Sequence, residues 1–93
     1  MIKTFKCKNT KELFNRKTVK KFPANVKRTM LMKLVMLHAA VDVNDLRVPP
    51  GNRLKPLTGD RKGAWSVRVN DQWRLCFKWE NGNAYDVQIE DYH

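Results

Sequence analysis

Asp91, Tyr92 and His93 bring a carboxylate, a phenol and an imidazole together at the end of a predicted strand. Imidazole ordinarily titrates near ~6.5, so it can give or take a proton close to neutrality. Arg68 and Arg74 occupy polar positions of two further predicted strands, and Arg53, Lys55 and Arg61 lie in the loop before them. Acid–base groups beside cationic forks suit phosphate-ester chemistry on RNA. There a ribose 2′-OH attacks the neighbouring phosphorus, a base takes its proton, and an acid protonates the leaving 5′-oxygen. Cations hold the extra negative charge. Nucleophilic catalysis by a side chain fits less well. Cys76 lies between Arg74 and Lys78 with no histidine nearby in sequence, and reads as a passive thiol. No phosphate-cradling glycine motif is present. Two histidines and two cysteines, widely separated, do not make a metal site, so neither metal nor cofactor is expected.

The net charge of +10 is concentrated in one part of the chain. Residues 1–33 carry nine lysines, two arginines and the single acid Glu12, whereas eight basic and eight acidic residues balance beyond them. One-sided charge of this size repels itself unless something uses it, and it suits a polyanion whose counterions are released on binding. Lys3, Lys6, Lys8, Lys11, Lys20 and Lys21 are therefore candidate RNA contacts, together with Arg53, Arg61 and Arg68. The 93 residues make one domain, 1–93, with a single thin core. No apolar run approaches a membrane span, and the N-terminus lacks the features of a signal peptide. Cys7 and Cys76 read as reduced thiols, which points to the cytoplasm.

The elements that must position these groups follow from periodicity. Residues 2–7 alternate apolar and polar, the pattern of a half-buried strand. Asn9-Thr10-Lys11-Glu12 has the form of a capping box, followed by a short helix through Leu13 and Phe14. Pro23 suits a first helical position. Val26, Met30, Leu34, Leu37 and Val41 then mark one face of a helix of about eighteen residues. His38 within it reads as a boundary residue rather than a catalyst. Pro49-Pro50-Gly51-Asn52 breaks the chain, and residues 53–63 read as a long loop with one extended piece. Three alternating runs, through Trp65–Val69, Trp73–Trp79 and Tyr85–Ile89, predict an antiparallel meander.

The apolar residues of those runs all have odd numbers, so facing pairs must have even sums. That parity calls for three-residue or bulged turns. Centring the turns on Asp71 and Gly82 sets Arg68 opposite Arg74, Arg74 opposite Glu90, Lys78 opposite Asp86, Phe77 opposite Val87 and Trp79 opposite Tyr85. Two arginines side by side want an anion, unless Glu90 alone satisfies Arg74.

The run Leu57-Thr58-Gly59-Asp60-Arg61-Lys62-Gly63-Ala64-Trp65-Ser66-Val67-Arg68-Val69-Asn70-Asp71-Gln72-Trp73-Arg74-Leu75, with Phe77 and the ending Glu90-Asp91-Tyr92-His93, resembles the HigB toxins. These are a branch of the RelE-type toxins of bacterial toxin–antitoxin systems. The opening Met1-Ile2-Lys3-Thr4-Phe5 matches as well. The resemblance implies an α+β fold, two helices packed on an antiparallel sheet in the order β-α-α-β-β-β. It implies a ribosome-dependent endoribonuclease that cuts mRNA during translation. It also implies a HigA-like partner antitoxin whose helix-turn-helix domain binds DNA and represses the shared operon. Carried over by position, it puts Arg74 on the scissile phosphate and Asp91, Tyr92 and His93 in or beside the acid–base site. Relatives often have lysine at the position of Thr58 and histidine at that of Lys55, so Lys55 is the expected loop cation. Two other readings stand beside this one. A DNA-gyrase poison of the related ParE branch would share the fold but not need the Asp-Tyr-His cluster. A non-catalytic RNA-binding module would use the N-terminal charge and leave Tyr92 and His93 idle.

Overall fold

The three alternating runs, joined by one short strand before them, form a four-stranded antiparallel sheet in the computed structural model, which describes residues 1–91. The strands are β1 (Lys55–Pro56), β2 (Ala64–Arg68), β3 (Trp73–Glu80) and β4 (Asn83–Asp91), and they lie in chain order across the sheet. The β1 piece is the extended part of the loop. Between β2 and β3 the register is the expected one, with Val67 opposite Leu75 and Arg68 opposite Arg74. Between β3 and β4 it is the expected one only at the open end, where Arg74 faces Glu90 and Leu75 faces Ile89.

Past Cys76 the register shifts by one, so the expected pair of Trp79 with Tyr85 does not form. Trp79 faces Ala84 and Lys78 faces Tyr85. The cause is the turn. Asn81 and Gly82 both take positive φ (52° and 78°), the two-residue geometry that Asn-Gly favours because its twist matches that of the strands. Such a turn gives odd sums. A bulge restores parity, with Asp86 at φ 52° on β4. Ala84 thereby enters the core and Tyr85 joins the Lys78 side. The opposite charges of Lys78 and Asp86 still meet, at 3.6 Å.

Two helices cover the other side of the sheet, α1 (Lys8–Phe14) and α2 (Ala24–Ala39). The expected capping box is absent. The helix starts two residues earlier, after Cys7, and Asn9 is already helical. Tertiary contact overrides the local signal, because buried Thr10 accepts the Ile89 N–H through Oγ1 at 3.0 Å and ties the first turn to β4. Pro23 lies just before the first turn of α2 rather than in it. Val26, Met30, Leu34 and Leu37 are buried as their spacing requires, but the helix ends before Val41, which is 81% exposed. Met30, Leu34 and Leu37 pack in one cluster with Val67, Leu75, Phe77 and Val87 from the sheet and Phe22 from the interhelical loop. Each such side chain is worth about 1.5–3 kcal/mol when fully buried.

The expected N-terminal strand is reduced to two isolated parallel bridges, Ile2 with Ala84 and Phe5 with Val87. The segment still covers the outer edge of β4. Lys3 and Lys6 donate to Ala84 and Val87, whose own N–H groups donate to Met1 and Thr4. An edge satisfied in this way cannot template another strand. No helix among the described residues is long and apolar enough to cross a membrane.

Candidate active site on the polar face of the sheet

Strand alternation sends Ser66, Arg68, Arg74, Cys76, Gln88 and Glu90 to the side away from the core, and the β1–β2 pairing puts Lys55 opposite Ser66. The structure thus gathers Lys55, Arg68 and Arg74 on one face. Arg74 donates through Nη1 to Ser66 Oγ at 3.2 Å, and Arg68 is hydrogen-bonded to Asp71. Arg53, Arg68, Asn70, Asp71 and Arg74 together line a cavity of about 160 Å³. Three guanidinium groups and the Asp71 carboxylate thus meet at one small hollow, and a guanidinium fork can present two parallel donors to an anion.

Local structure fixes where these cations sit. Buried Asn52 accepts from Lys33 Nζ at 2.6 Å and donates to the Leu46 carbonyl at 3.1 Å, which pins the loop to α2. The next residue, Arg53, turns out in a left-handed conformation at φ 46°, and Lys55 follows in β1. At the β2–β3 turn, Asn70 Oδ1 accepts from the N–H groups of Gln72 and Trp73 at 2.9 and 2.8 Å. This side-chain turn holds Arg68 and Arg74 at the mouth of the hairpin.

Glu90 is already occupied, so it does not serve Arg74 alone. Arg61 grips both its oxygens at 3.0 Å, Cys76 Sγ donates at 3.1 Å and Gln88 Nε2 at 2.8 Å. Arg61, expected as an RNA contact, is therefore an anchor of the loop before β2, although its side chain stays partly exposed. Partial burial raises the Glu90 carboxyl, but the hydrogen bonds from Arg61 and Cys76 outweigh it and hold the group below the usual range. Burial, with the Glu90 hydrogen bond and charge, pushes the Cys76 thiol up to about 12, consistent with a passive role.

A pH test of this anchor follows. The folded Glu90 pKa lies below its unfolded value, so its stabilisation is complete above the ordinary carboxylate range near ~4.3 and is lost as pH falls through the folded value. Glu90→Gln should destabilise the protein at pH 7 by about 1–2 kcal/mol, as expected for a charged pair that is partly exposed. The difference from wild type should shrink towards pH 3. Thermal unfolding across that range checks it, and a gap independent of pH would refute the assignment.

Asp91 sits apart from the arginine row. Its register partner is Trp73, on the other face, and its carboxylate accepts from Gln72 Nε2 at 3.1 Å. Tyr92 and His93 lie outside the described residues. The six candidate lysines are all exposed. Lys6 lies near Glu90 and lines a cavity of about 130 Å³ on the polar face with Arg61, Lys78 and Gln88. Lys8 and Lys11 instead line a separate groove beside α1. His38 stays with α2, where Nδ1 accepts the Ile2 N–H at 3.2 Å and the ring stands 5.3 Å from that of Phe14. Sequence reasoning did not single out Ser66, Asn52 or Gln72. An isolated serine on the polar side of a strand carries no signal until its partner Arg74 is known.

Residues 3–93 match the family model described as the RelE-like toxin of the type II toxin–antitoxin system HigB. Endoribonuclease HigB of Proteus vulgaris is 38% identical over 93 residues, the whole of both chains. Toxin HigB-1 of Vibrio cholerae is 43% identical over 68 residues, 73% of this chain and 72% of that one. Among solved structures, a point mutant of YafQ from E. coli superposes with a TM-score of 0.66 at 16% identity, covering 99% of this chain and 92% of that one. A YoeB/ParE toxin from Agrobacterium tumefaciens gives 0.58 at 16% identity, covering 99% and 98%.

Proposed function

Because the chain belongs to the HigB family of RelE-like toxins of type II toxin–antitoxin systems, we propose that it is an endoribonuclease that cuts mRNA on the ribosome and so stops translation. An antitoxin is its partner, and in this reading that antitoxin is HigA-like, with a helix-turn-helix domain. The observation that carries the reading is the direct pairing of Arg68 with Arg74, with Arg53 on the same hollow and Lys55 on the same face. Asp71 already offsets part of this charge at Arg68, and in this reading the scissile phosphate is a second anion on the same cationic face.

In this mechanism Arg74 holds the non-bridging oxygens of the phosphate, and Arg68, Arg53 and Lys55 share the charge that grows in the transition state. The 2′-OH forms a bond to phosphorus as the bond to the 5′-oxygen breaks, which leaves a 2′,3′-cyclic phosphate and a free 5′-hydroxyl. His93, assisted by Tyr92, carries protons to and from the two oxygens, and Asp91, on the Trp73 side of the sheet, takes no part. The gyrase-poison alternative has no use for this cluster.

Ribosome binding uses the charge of the N-terminal third, with Lys3, Lys6, Lys20 and Lys21 against rRNA phosphates. Replacing Lys3, Lys6 and Lys20 with alanine should weaken binding to purified ribosomes and flatten its salt dependence. Each phosphate left without its lysine should lower the slope of log K against log salt by about 0.7–0.9. An unchanged slope would make these lysines a solvated surface only.

A further inference from the structure

The β2–β3 turn carries an acid into the arginine hollow. Asp71, in that turn, is ion-paired with Arg68 three residues before it, and it is the one carboxylate among the described residues that line the hollow. The backbone fixes where this group stands. Asn70 Oδ1 holds the N–H groups of Gln72 and Trp73, and the Trp73 carbonyl accepts from Val69 and Asn70 at 3.0 and 3.3 Å. The pair is nonetheless open to water, since the Asp71 side chain is 99% exposed and that of Arg68 34%. An ion pair this exposed holds weakly and can be exchanged for another anion.

We propose that Asp71 is a specificity residue, an internal counter-ion that occupies Arg68 in the free protein and that an RNA phosphate displaces on entering the hollow. The inference deepens the nuclease reading and rests on it for the phosphate. Arg68 and Arg74 are direct register partners, and like charges so opposed favour an anion beside them. In the free protein Asp71 is that anion. In the complex a phosphate oxygen takes its place, because two negative groups at one guanidinium repel each other. The displacement weakens RNA binding by a fixed amount, and its consequence depends on how the RNA arrives. RNA met in free solution binds far from saturation, so the whole loss is felt. RNA presented on the ribosome arrives at a high effective concentration, and the same loss there leaves the hollow filled. Asp71 thus biases the protein against free RNA, as a charge set against the wrong partner does.

The test is binding of a short fluorescent RNA whose 2′-OH groups are all methylated, so that it binds and cannot be cut. Asp71→Asn removes the charge and keeps the shape, and asparagine suits a turn as well as aspartate does, so folding is not at stake. This variant should bind the probe about fivefold more tightly than wild type at low salt, the effect of one like charge removed at contact distance in water. The slope of log K against log salt should steepen by about 0.7, one further phosphate contact on a single strand. In an Arg68→Ala protein, Asp71 has no cation to release and stands screened in water. There the same substitution should tighten binding by at most about twofold and leave the slope unchanged. Asp86→Asn is the charge control, since Asp86 pairs with Lys78 on the same sheet and lines a different cavity. Affinity and slope unchanged in Asp71→Asn would overturn the proposal and make Arg68–Asp71 a surface pair only. A full gain in the Arg68→Ala background, or an equal gain from Asp86→Asn, would overturn it in favour of net charge. Failure of every one of these proteins to bind the probe at the lowest salt would overturn the RNA reading of the hollow, and the proposal with it.

Discussion

Replacing His93 with alanine is expected to lower mRNA cleavage by about 10²–10⁴-fold, the usual contribution of a positioned proton-transfer group. The argument is chemical. No other histidine on the described residues is available, because His38 is held on α2 by Ile2 and Phe14. Arginine and lysine stay protonated at neutral pH and cannot exchange a proton there as readily as imidazole. Tyr92→Phe should fall between the variant and wild type if its hydroxyl relays or positions the proton. It should match wild type if only the ring is used. Single-turnover cleavage on stalled ribosomes measures the effect. A His93→Ala protein that cuts at the wild-type rate would take the imidazole out of the mechanism and make Lys55 the next group to test.

Arg74→Lys is expected to lower cleavage by about tenfold or more, since removing a transition-state hydrogen bond to charge costs about 2–4 kcal/mol. Lysine keeps the charge and lacks the planar fork that matches two phosphate oxygens. It also gives up the geometry of the 3.2 Å bond to Ser66. Stability should hardly change, because Arg74 lies on the polar face and Glu90 is satisfied by Arg61, Cys76 and Gln88. Unfolding midpoints measured beside cleavage rates separate the two roles. A variant that cuts normally but melts early would make Arg74 a structural residue.

Much of the sheet is legible in the sequence because strand alternation is a strong signal. The period-two runs give the meander, and parity gives the Arg68–Arg74 and Arg74–Glu90 pairs. The far half of the second hairpin departs from expectation for a definite reason. Parity holds, but the Asn81-Gly82 turn keeps its own preferred two-residue form and the correction moves into the strand at Asp86. Local capping logic fails at Asn9 because the buried bond from Ile89 to Thr10 sets where α1 begins. The N-terminal pattern points to an extended segment, yet that segment touches β4 through only two bridges. In the candidate site, residue types point to Arg74, Lys55 and Arg53, and the fold brings them to one region. Roles set by partners are not legible. Arg61 reads as an RNA contact in sequence, where its bond to Glu90 is not visible, and Asn52 reads as a turn residue and proves to be the buried pin beneath Arg53. Charge counting along the first third does not show that Lys6 lies on the polar face while Lys8, Lys11 and Lys17 line the groove beside α1.

The measurement closest to the central claim adds the purified protein to a translation extract and maps mRNA 5′ ends, with intact ribosomes and with ribosomes removed. New 5′-hydroxyl ends inside translated reading frames, present only with ribosomes, absent in His93→Ala and strongly reduced in Arg74→Lys, are the predicted result. Cleavage of naked mRNA at the same positions and rates would contradict ribosome dependence, and translation halted with every mRNA intact would contradict the nuclease itself.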